Sequence, residues 1–451
     1  MDPVHALAEH VTRLRANDVP EAARGAARTF ILDTLGVGVA GSCGPKTAEL
    51  ADVLSSAGDG PARVWGTGRR MPVAGAAAVN GTQAHNSEFD CVHEAAVVHA
   101  MSVVLPVALA GAERQGNVSG EALLTAVVAG VDIAAALGLA AKSGLRFFRP
   151  ATAGAFGGVA ALAKILGLDQ TQTRHAFAIA YGQLGGTMQA HTEGSMLLPM
   201  QLGFNARNAV VACDLARAGV EGPENILDGA YGYFKLIEDG GDMQRVARTL
   251  GQVWRVTELA HKPYPSGRAT HGIIDACLAL RDRHRPDPEA ISRVVATVPP
   301  LVRQLVGRPY RPDMNVNYAR LSGAYLAAWT LAFGAVDSDA FADGACLSEP
   351  VASLAQRVRI DVRDDGDPNA LTPVTVEITL RDGTRWSEQV ATVYGNPARP
   401  MSREAHLAKF RRNFQSARSP LDAGKAEQLI EAVDRLEALA DVALLVDLVV
   451  P

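Results

Sequence analysis

Residues 85–99 form a polar segment that holds three of the eleven histidines of the chain and three carboxylates. Strongly apolar stretches flank the segment on both sides, so its ends should lie close to a hydrophobic core. Imidazole and carboxylate together are the groups that proteins use to move a proton near neutral pH. The segment is therefore our first candidate for acid–base chemistry, and a solvated loop is the alternative interpretation.

Residues 261–271 form a second polar segment, His-Lys-Pro-Tyr-Pro-Ser-Gly-Arg-Ala-Thr-His. Two prolines stiffen it, and Ser266 can cap the helix predicted to follow, whose N-terminal N–H groups suit an anion. Lys262 and Arg268 add positive charge there, and an arginine can grip a carboxylate with two hydrogen bonds. His271 and Asp275 are four residues apart, so on a helix they can meet. A capped helix with surface cations is the alternative.

Residues 189–201 carry His191 and Glu193 ahead of a predicted helix. An ordinary loop between helices is the simpler interpretation of this third segment.

Two motifs resemble known sites but occur in the wrong context. Gly36, Gly38 and Gly41 spell the G-x-G-x-x-G pattern of dinucleotide-binding loops, yet they follow a helical rather than a strand pattern. His93-Glu94 begins like a zinc-protease motif, but Val97 stands where the second histidine should be. A metal site built from Asp90, His93 and His99 is conceivable, but we predict no metal and no cofactor.

Composition excludes several classes of protein. The net charge of −5 on 43 basic and 48 acidic residues offers no electrostatic partner for nucleic acid or a membrane surface. Five scattered cysteines without a C-x-x-C pair indicate free thiols in a reducing compartment. The N-terminus does not resemble a signal peptide, and the apolar stretch 122–140 contains Asp132 and is best explained as a buried helix. We therefore predict a soluble cytoplasmic protein.

The elements that position these segments follow from periodicity. Apolar residues at helical spacing predict helices over most of the first 280 residues, including 72–85, 100–114, 120–141 and 203–219, and again over 402–415 and 422–445. Short runs rich in β-branched residues predict strands at 294–298, 358–362, 374–380 and 386–393, with helices at 314–334 and 337–346 between them. We predict a mainly α protein with two domains: a helical domain over 1–268, completed by 400–451, and an α+β lid over 269–399.

The three polar segments, together with Asp33-Thr34-Leu35-Gly36 and the stretch 222–229, resemble the MmgE/PrpD family, which includes 2-methylcitrate dehydratase, cis-aconitate decarboxylase and iminodisuccinate epimerase. The resemblance covers nearly the whole chain. It implies a helical domain with an α+β lid, a homodimer, and a metal-free active site between the domains. Glu88 and Asp90 match the acidic stretch of the family, and His99 matches the histidine that follows it. Lys262 and His271 match a K-P-[YW]-P…H motif.

The sequence departs from the family at three positions. Arg149 stands where relatives have a histidine, and Leu198 and Gln201 stand where they have a lysine and a histidine. An arginine cannot act as a general acid at neutral pH, but it can hold a carboxylate or stabilise an enolate.

The sequence therefore predicts a lyase that acts beside a carboxylate, by dehydration or decarboxylation. His99 or His271 would take or return a proton, Asp90 would orient an imidazole, and Lys262 would hold an acid group of the substrate. An isomerase or epimerase with the same residues is the second hypothesis, and a binding protein without catalysis is the third. The predicted substrate contacts are Glu88, His93, Arg149, His191, Gln201, Ser266 and Arg268.

Overall fold

The computed structural model describes residues 2–363, 367 and 369–451 of the chain. They group into two compact units. The larger unit comprises Met1–Met188, Leu197–Leu259 and Ser402–Pro451, and the smaller comprises Gln189–Met196 and Ala260–Met401. The predicted domain bounds assign residues 260–268 to the helical body, whereas these residues group with the smaller unit.

The α-helices of the described residues are, in chain order, α1 (Val4–Arg13), α2 (Glu21–Gly41), α3 (Thr47–Ser55), α4 (Val73–Asn86), α5 (Met101–Gln115), α6 (Gly120–Ala140), α7 (Arg149–Leu166), α8 (Gln170–Tyr181), α9 (Met188–Glu193), α10 (Leu197–Arg217), α11 (Tyr233–Leu236), α12 (Met243–Ala247), α13 (His271–His284), α14 (Pro300–Val306), α15 (Val316–Arg320), α16 (Gly323–Phe333), α17 (Val351–Ala355), α18 (Arg403–Gln415), α19 (Ala423–Asp434) and α20 (Ala443–Leu448). The protein is mainly helical, as predicted.

Helix α6 lies in the core of the larger unit. It is long and apolar enough to cross a membrane by length and composition, but 89% of its most apolar stretch is buried within the protein. Asp132 in its middle is fully buried, and its carboxylate lies 3.1 Å from Nε2 of His10 and accepts the N–H of Arg255 at 2.9 Å. Buried polar groups need such partners, so α6 has the properties of an interior helix.

The three glycines of the G-x-G-x-x-G pattern all lie within α2. A Cβ atom on Gly41 would lie 2.0 Å from the carbonyl oxygen of Gln83 in α4, and one on Gly38 would lie 2.5 Å from the ring of Trp65. The glycines are therefore required for close helix packing. The helical context agrees with our rejection of a dinucleotide loop.

The smaller unit contains a four-stranded mixed sheet in the order β6-β5-β7-β8. Its strands are β5 (Ile291–Val298), β6 (Val358–Val362), β7 (Val374–Leu380) and β8 (Arg385–Val390). The four strands that precede them in the chain have two residues each and form two separate two-stranded sheets, β1 with β2 and β3 with β4. They are β1 (Ala62–Arg63), β2 (Arg70–Met71), β3 (Val92–His93) and β4 (Leu259–Ala260). Strand β5 runs parallel to β6 and antiparallel to β7, which forms a hairpin with β8. Alternate residues of β7 are buried against α13.

Two local predictions were wrong. The predicted helix over 337–346 is replaced by two single 3₁₀ turns, Ser338–Phe341 and Ala345–Leu347. The segment 189–201, which we interpreted as an ordinary loop, is largely helical and is interrupted over residues 194–196, where Gly194 has a φ of +68°. A Cβ atom on Gly194 would lie 2.8 Å from the backbone of Tyr318, so glycine is required there.

Candidate active site

Helices α4 and α5 hold the first polar segment at both ends, because α4 ends at Asn86 and α5 begins at Met101. The segment is therefore anchored to the core of the larger unit rather than solvated. We call His85, Glu88, Asp90, His99 and Ser102 the imidazole–carboxylate cluster. Four of these side chains are buried, and His99 retains 12% exposure.

Asp90 is the centre of the cluster. Its Oδ2 atom lies 2.9 Å from Nδ1 of His85, 3.0 Å from Nδ1 of His99 and 2.5 Å from the hydroxyl of Ser102. The carboxylate is fully buried, and three donors converge on one of its oxygens. The hydrogen bond to His85 and the ion-pair contact with His99 hold both imidazole rings beside this carboxylate.

His85 is held between two carboxylates. Its Nε2 lies 3.2 Å from Glu88, while its Nδ1 faces Asp90. Burial alone would lower the pKa of His85, but the charges and hydrogen bonds of Asp90 and Glu88 prevail and raise it to about 9. The imidazole is therefore protonated at neutral pH and places a fixed positive charge in the cluster.

His99 has the geometry of a proton carrier. Its Nδ1 faces two acceptors, Asp90 at 3.0 Å and the carbonyl of Cys91 at 3.2 Å, so Nδ1 carries a hydrogen. This leaves Nε2 as the nitrogen that can take up or release a proton. The ring lies edge-on to that of His85, with centroids 4.7 Å apart.

His93 is directed away from this arrangement. Its Nε2 lies 2.8 Å from Glu258, and its Nδ1 accepts the N–H of Ala96 at 3.2 Å. Burial would raise the pKa of Glu258, but hydrogen bonds from His93 and Arg255 lower it. Both ring nitrogens thus stabilise the local fold, and the substrate contact predicted for His93 stays a prediction.

Arg149 is paired with a carboxylate of the protein, and the substrate contact predicted for it stays a prediction. It is fully buried, and its Nε and Nη2 donate to the two oxygens of Glu238 at 2.7 and 2.8 Å. Two further bonds go to the carbonyls of Ala96 and Ser143. No local pattern indicates Glu238 as the partner, because it lies 89 residues away along the chain.

Gln201 also bonds to the protein. Its side-chain oxygen accepts the N–H of Thr187 at 2.6 Å, and its amide donates to the carbonyl of Thr187 at 3.3 Å. The backbone of Thr187 forms an antiparallel β-bridge with Phe147. Phe148 follows Phe147 in the chain, and the centre of its ring lies 6.0 Å from that of His85. Gln201 thus supports one wall of the imidazole–carboxylate cluster.

The second polar segment is folded into the smaller unit. Lys262, Ser266, Arg268 and His271 are all buried. Arg268 donates to Nδ1 of His271 at 3.2 Å, and Nε2 of His271 lies 3.2 Å from the carbonyl of Ser266. A guanidinium only donates and a carbonyl only accepts, so His271 is held as the neutral tautomer with its hydrogen on Nε2.

Asp275 binds other groups than the predicted imidazole partner. Its carboxylate accepts from the hydroxyl of Tyr264 at 2.8 Å, from the N–H of Tyr394 at 2.7 Å and from Arg399 at 3.0 Å. Arg268 and Ser266 orient His271 instead. In the same unit, His191 lies in α9, where Arg308 donates to its backbone carbonyl at 2.8 Å.

A metal ion would find three potential ligands in His85, Asp90 and His99, whose ligand atoms lie within 4.8 Å of one another. Both nitrogens of His85 face carboxylates, however, so a cation would have to displace the protons that these contacts hold. That this cluster holds no metal stays a prediction. His93, which the sequence suggested as a ligand, is outside this group.

Sequence reasoning missed two members of the cluster. His85 and Ser102 received no predicted role, although both bond to Asp90. The signal for His85 was present, because Glu88 and Asp90 follow it at three and five residues. Ser102 lies within an apolar helix pattern and carried no such signal.

The fold and the two polar clusters define a helix-rich protein of two units whose buried imidazoles and carboxylates are suited to proton transfer. Residues 5–246 match the MmgE/PrpD N-terminal domain, and residues 264–437 match the MmgE/PrpD C-terminal domain. The chain belongs to the MmgE/PrpD family.

Similar proteins include three cis-aconitate decarboxylases. The mouse protein is 31% identical over 96% of this chain and 90% of its own length, and the human protein is 30% identical over 93% and 89%. The protein from Aspergillus terreus is 27% identical over 97% and 94%. These similarities extend over both units.

Proposed function

We propose that this protein is a lyase that acts on a small di- or tricarboxylate by proton transfer next to a carboxylate. The observation that carries the proposal is the shared carboxylate of Asp90, which orients His99 while His85 keeps a positive charge beside it. Loss of carbon dioxide and loss of water both pass through an enolate-like species, and a nearby fixed cation stabilises such a species.

The names of the relatives favour decarboxylation, and cis-aconitate is the first substrate to test. In that reaction the C–C bond to a carboxylate breaks, carbon dioxide leaves, and the electron pair stays on the remaining carbon. Protonated His99 would deliver the hydrogen of Nε2 to that carbon and recover it from water. In a dehydration, neutral His99 would instead remove the α-proton.

His99 is a better candidate than His271 for the proton carrier. The two bonds to Arg268 and Ser266 fix His271 as a neutral donor, so a change of its protonation state would break one of them. We propose that His271 and Arg268 shape the binding region and that the buried ammonium of Lys262 holds a carboxylate of the substrate. Arg149 and Gln201 act as supports.

The decisive experiment incubates the protein in D₂O with cis-aconitate and related di- and tricarboxylates, followed by NMR and measurement of released carbon dioxide. Deuterium next to a carboxylate together with carbon dioxide supports a decarboxylase, and deuterium together with loss of water from a hydroxy acid supports a dehydratase. Deuterium without loss of mass indicates an isomerase and contradicts the lyase. Thermal stabilisation by a carboxylate without any exchange indicates a binding protein and contradicts an enzyme.

We further propose that the protein acts as a cytoplasmic homodimer. The family resemblance and the five free cysteines support this proposal. Light scattering of the purified protein at micromolar concentration tests the assembly, and a monomeric mass would contradict it.

A further inference from the structure

A buried ion pair joins α2 to α18 in the larger unit. Nζ of Lys409 lies 2.7 Å from Oδ1 of Asp33, and both side chains are only 1% exposed. Asp33 begins the Asp-Thr-Leu-Gly stretch of the sequence and is not a member of the imidazole–carboxylate cluster. Buried charges are costly and are retained where they are paired or serve a purpose.

Lys409 also contacts the imidazole–carboxylate cluster through a single residue. Its Nζ donates to the carbonyl of Phe89 at 2.8 Å and lies 4.2 Å from the centre of the Phe89 ring. Phe89 stands between Glu88 and Asp90, the two carboxylates that hold His85. One ammonium group therefore grips both the backbone and the side chain of the residue that links them.

The backbone at this place needs such support. Glu88 has a φ of +51°, in the left-handed region that residues other than glycine rarely occupy. Backbone of this kind persists where the surroundings hold it in place. The grip on Phe89 is immediately next to this residue.

His406 does not supply the charge that pairs with Asp33. Burial lowers the pKa of His406 to about 4, and the attraction of Asp33 at 3.9 Å does not offset this effect. The ring is neutral at neutral pH, so Lys409 is the cation of the pair.

We propose that Lys409, fixed by Asp33, is a positioning residue that holds Phe89 and thereby sets the places of Glu88 and Asp90 around His85. The proposal rests on the proposed function insofar as it concerns turnover. It also makes a claim about the geometry of the cluster that does not depend on any substrate.

The test replaces both charges at once. Lys409→Met alone leaves Asp33 buried without its cation and should unfold the protein, whereas Asp33→Leu/Lys409→Met removes the pair and should keep the fold. In the double variant we expect Tm near that of the wild type, kcat lower by about 100-fold, and a small change in KM. Arg411→Met, which removes an exposed charge from the same helix, is the control and should leave both constants unchanged.

A readout without substrate separates this proposal from the proposed function. NMR of ring-labelled histidine follows the titration of His85, whose midpoint should fall clearly below that of the wild type once Glu88 and Asp90 move. A double variant with normal Tm, normal kcat and an unchanged His85 titration would overturn the proposal. If the wild type turns over no carboxylate, the proposed function fails, but the His85 titration still tests the positioning role of Lys409.

Should the Leu/Met variant fail to fold, Asp33→Asn/Lys409→Gln serves instead. Its two neutral amides can hydrogen-bond to each other in place of the ion pair, but the glutamine side chain is one bond shorter than lysine and should not reach the carbonyl of Phe89. The same loss of kcat and the same shift in the His85 titration are expected. Wild-type values of both in this variant would refute a positioning role.

Discussion

His85 donates from Nδ1 to Oδ2 of Asp90 across 2.9 Å, and both side chains are buried in the larger unit. Because Nε2 of the same ring faces Glu88 at 3.2 Å, loss of a proton from His85 would remove its attraction to two carboxylates. The ring therefore acts as a fixed cation, and the proton chemistry passes to His99.

Folding stability should depend on pH through His85. A pKa raised to about 9 in the folded state means that the stabilisation is fully present below the ordinary value of 6.5 and is lost as pH rises through 9. The difference corresponds to roughly 3 kcal/mol of the free energy of unfolding. Denaturant unfolding at pH 6.5 and pH 9.5 measures it. In His85→Gln this decline should be much reduced; a decline of the same size would assign the effect to other groups.

His99→Ala should abolish turnover and leave the fold intact, because it removes the ring whose Nε2 exchanges the proton. We expect a loss of at least about 100-fold in kcat, within the range of general acid–base catalysis, and a Tm close to that of the wild type. His5→Ala on α1, where the ring is partly exposed beside Glu224, is the matched control. Undiminished activity in His99→Ala would refute the assignment.

Arg149 should prove to be a structural residue. Arg149→Met leaves Glu238 buried without its partner and should cost about 3–5 kcal/mol of unfolding free energy, whereas Arg149→Met/Glu238→Leu should recover most of that loss. KM of the double variant should match that of the wild type, as steady-state kinetics can determine. A stable double variant with KM raised tenfold or more would instead support the substrate contact predicted from the sequence.

His271 should carry its hydrogen on Nε2 at pH 7. Its partners require this tautomer, since Arg268 donates to Nδ1 and Ser266 offers a carbonyl to Nε2. The ¹⁵N shifts of labelled histidine distinguish it from the other tautomer and from the imidazolium. Arg268→Met removes the donor and should produce a mixture of states. An imidazolium spectrum in the wild type would contradict the geometry and return His271 to the list of proton carriers.

The helices and strands were predictable where the spacing of apolar residues along the chain determines which face is buried. The pattern over 72–85 gave α4, and the β-branched runs gave the strands, because both signals are local. The helix predicted over 337–346 failed, since a run of small residues there forms two short turns rather than an α-helix.

The site was predictable where its parts are neighbours in the chain. Asp90 and His99 lie in one segment, and the structure joins them. Arg149 and Gln201 could not be interpreted in the same way, because their partners, Glu238 and Thr187, are set by tertiary packing that no local pattern encodes. A polar residue with apolar neighbours in the sequence can contact a ligand, or it can be buried and bond to the protein. The group to which its side chain bonds in the fold distinguishes the two roles.

The glycines of α2 bear on attempts to make the protein more heat-resistant. Exchanging a helical glycine for alanine is a standard route to greater thermal tolerance, since it restricts the unfolded chain. At Gly41 the added methyl group would push α2 away from the backbone of α4 at Gln83, three residues before the end of that helix. Gly41→Ala would therefore restrict the unfolded chain, but it would also displace the end of α4 that carries His85.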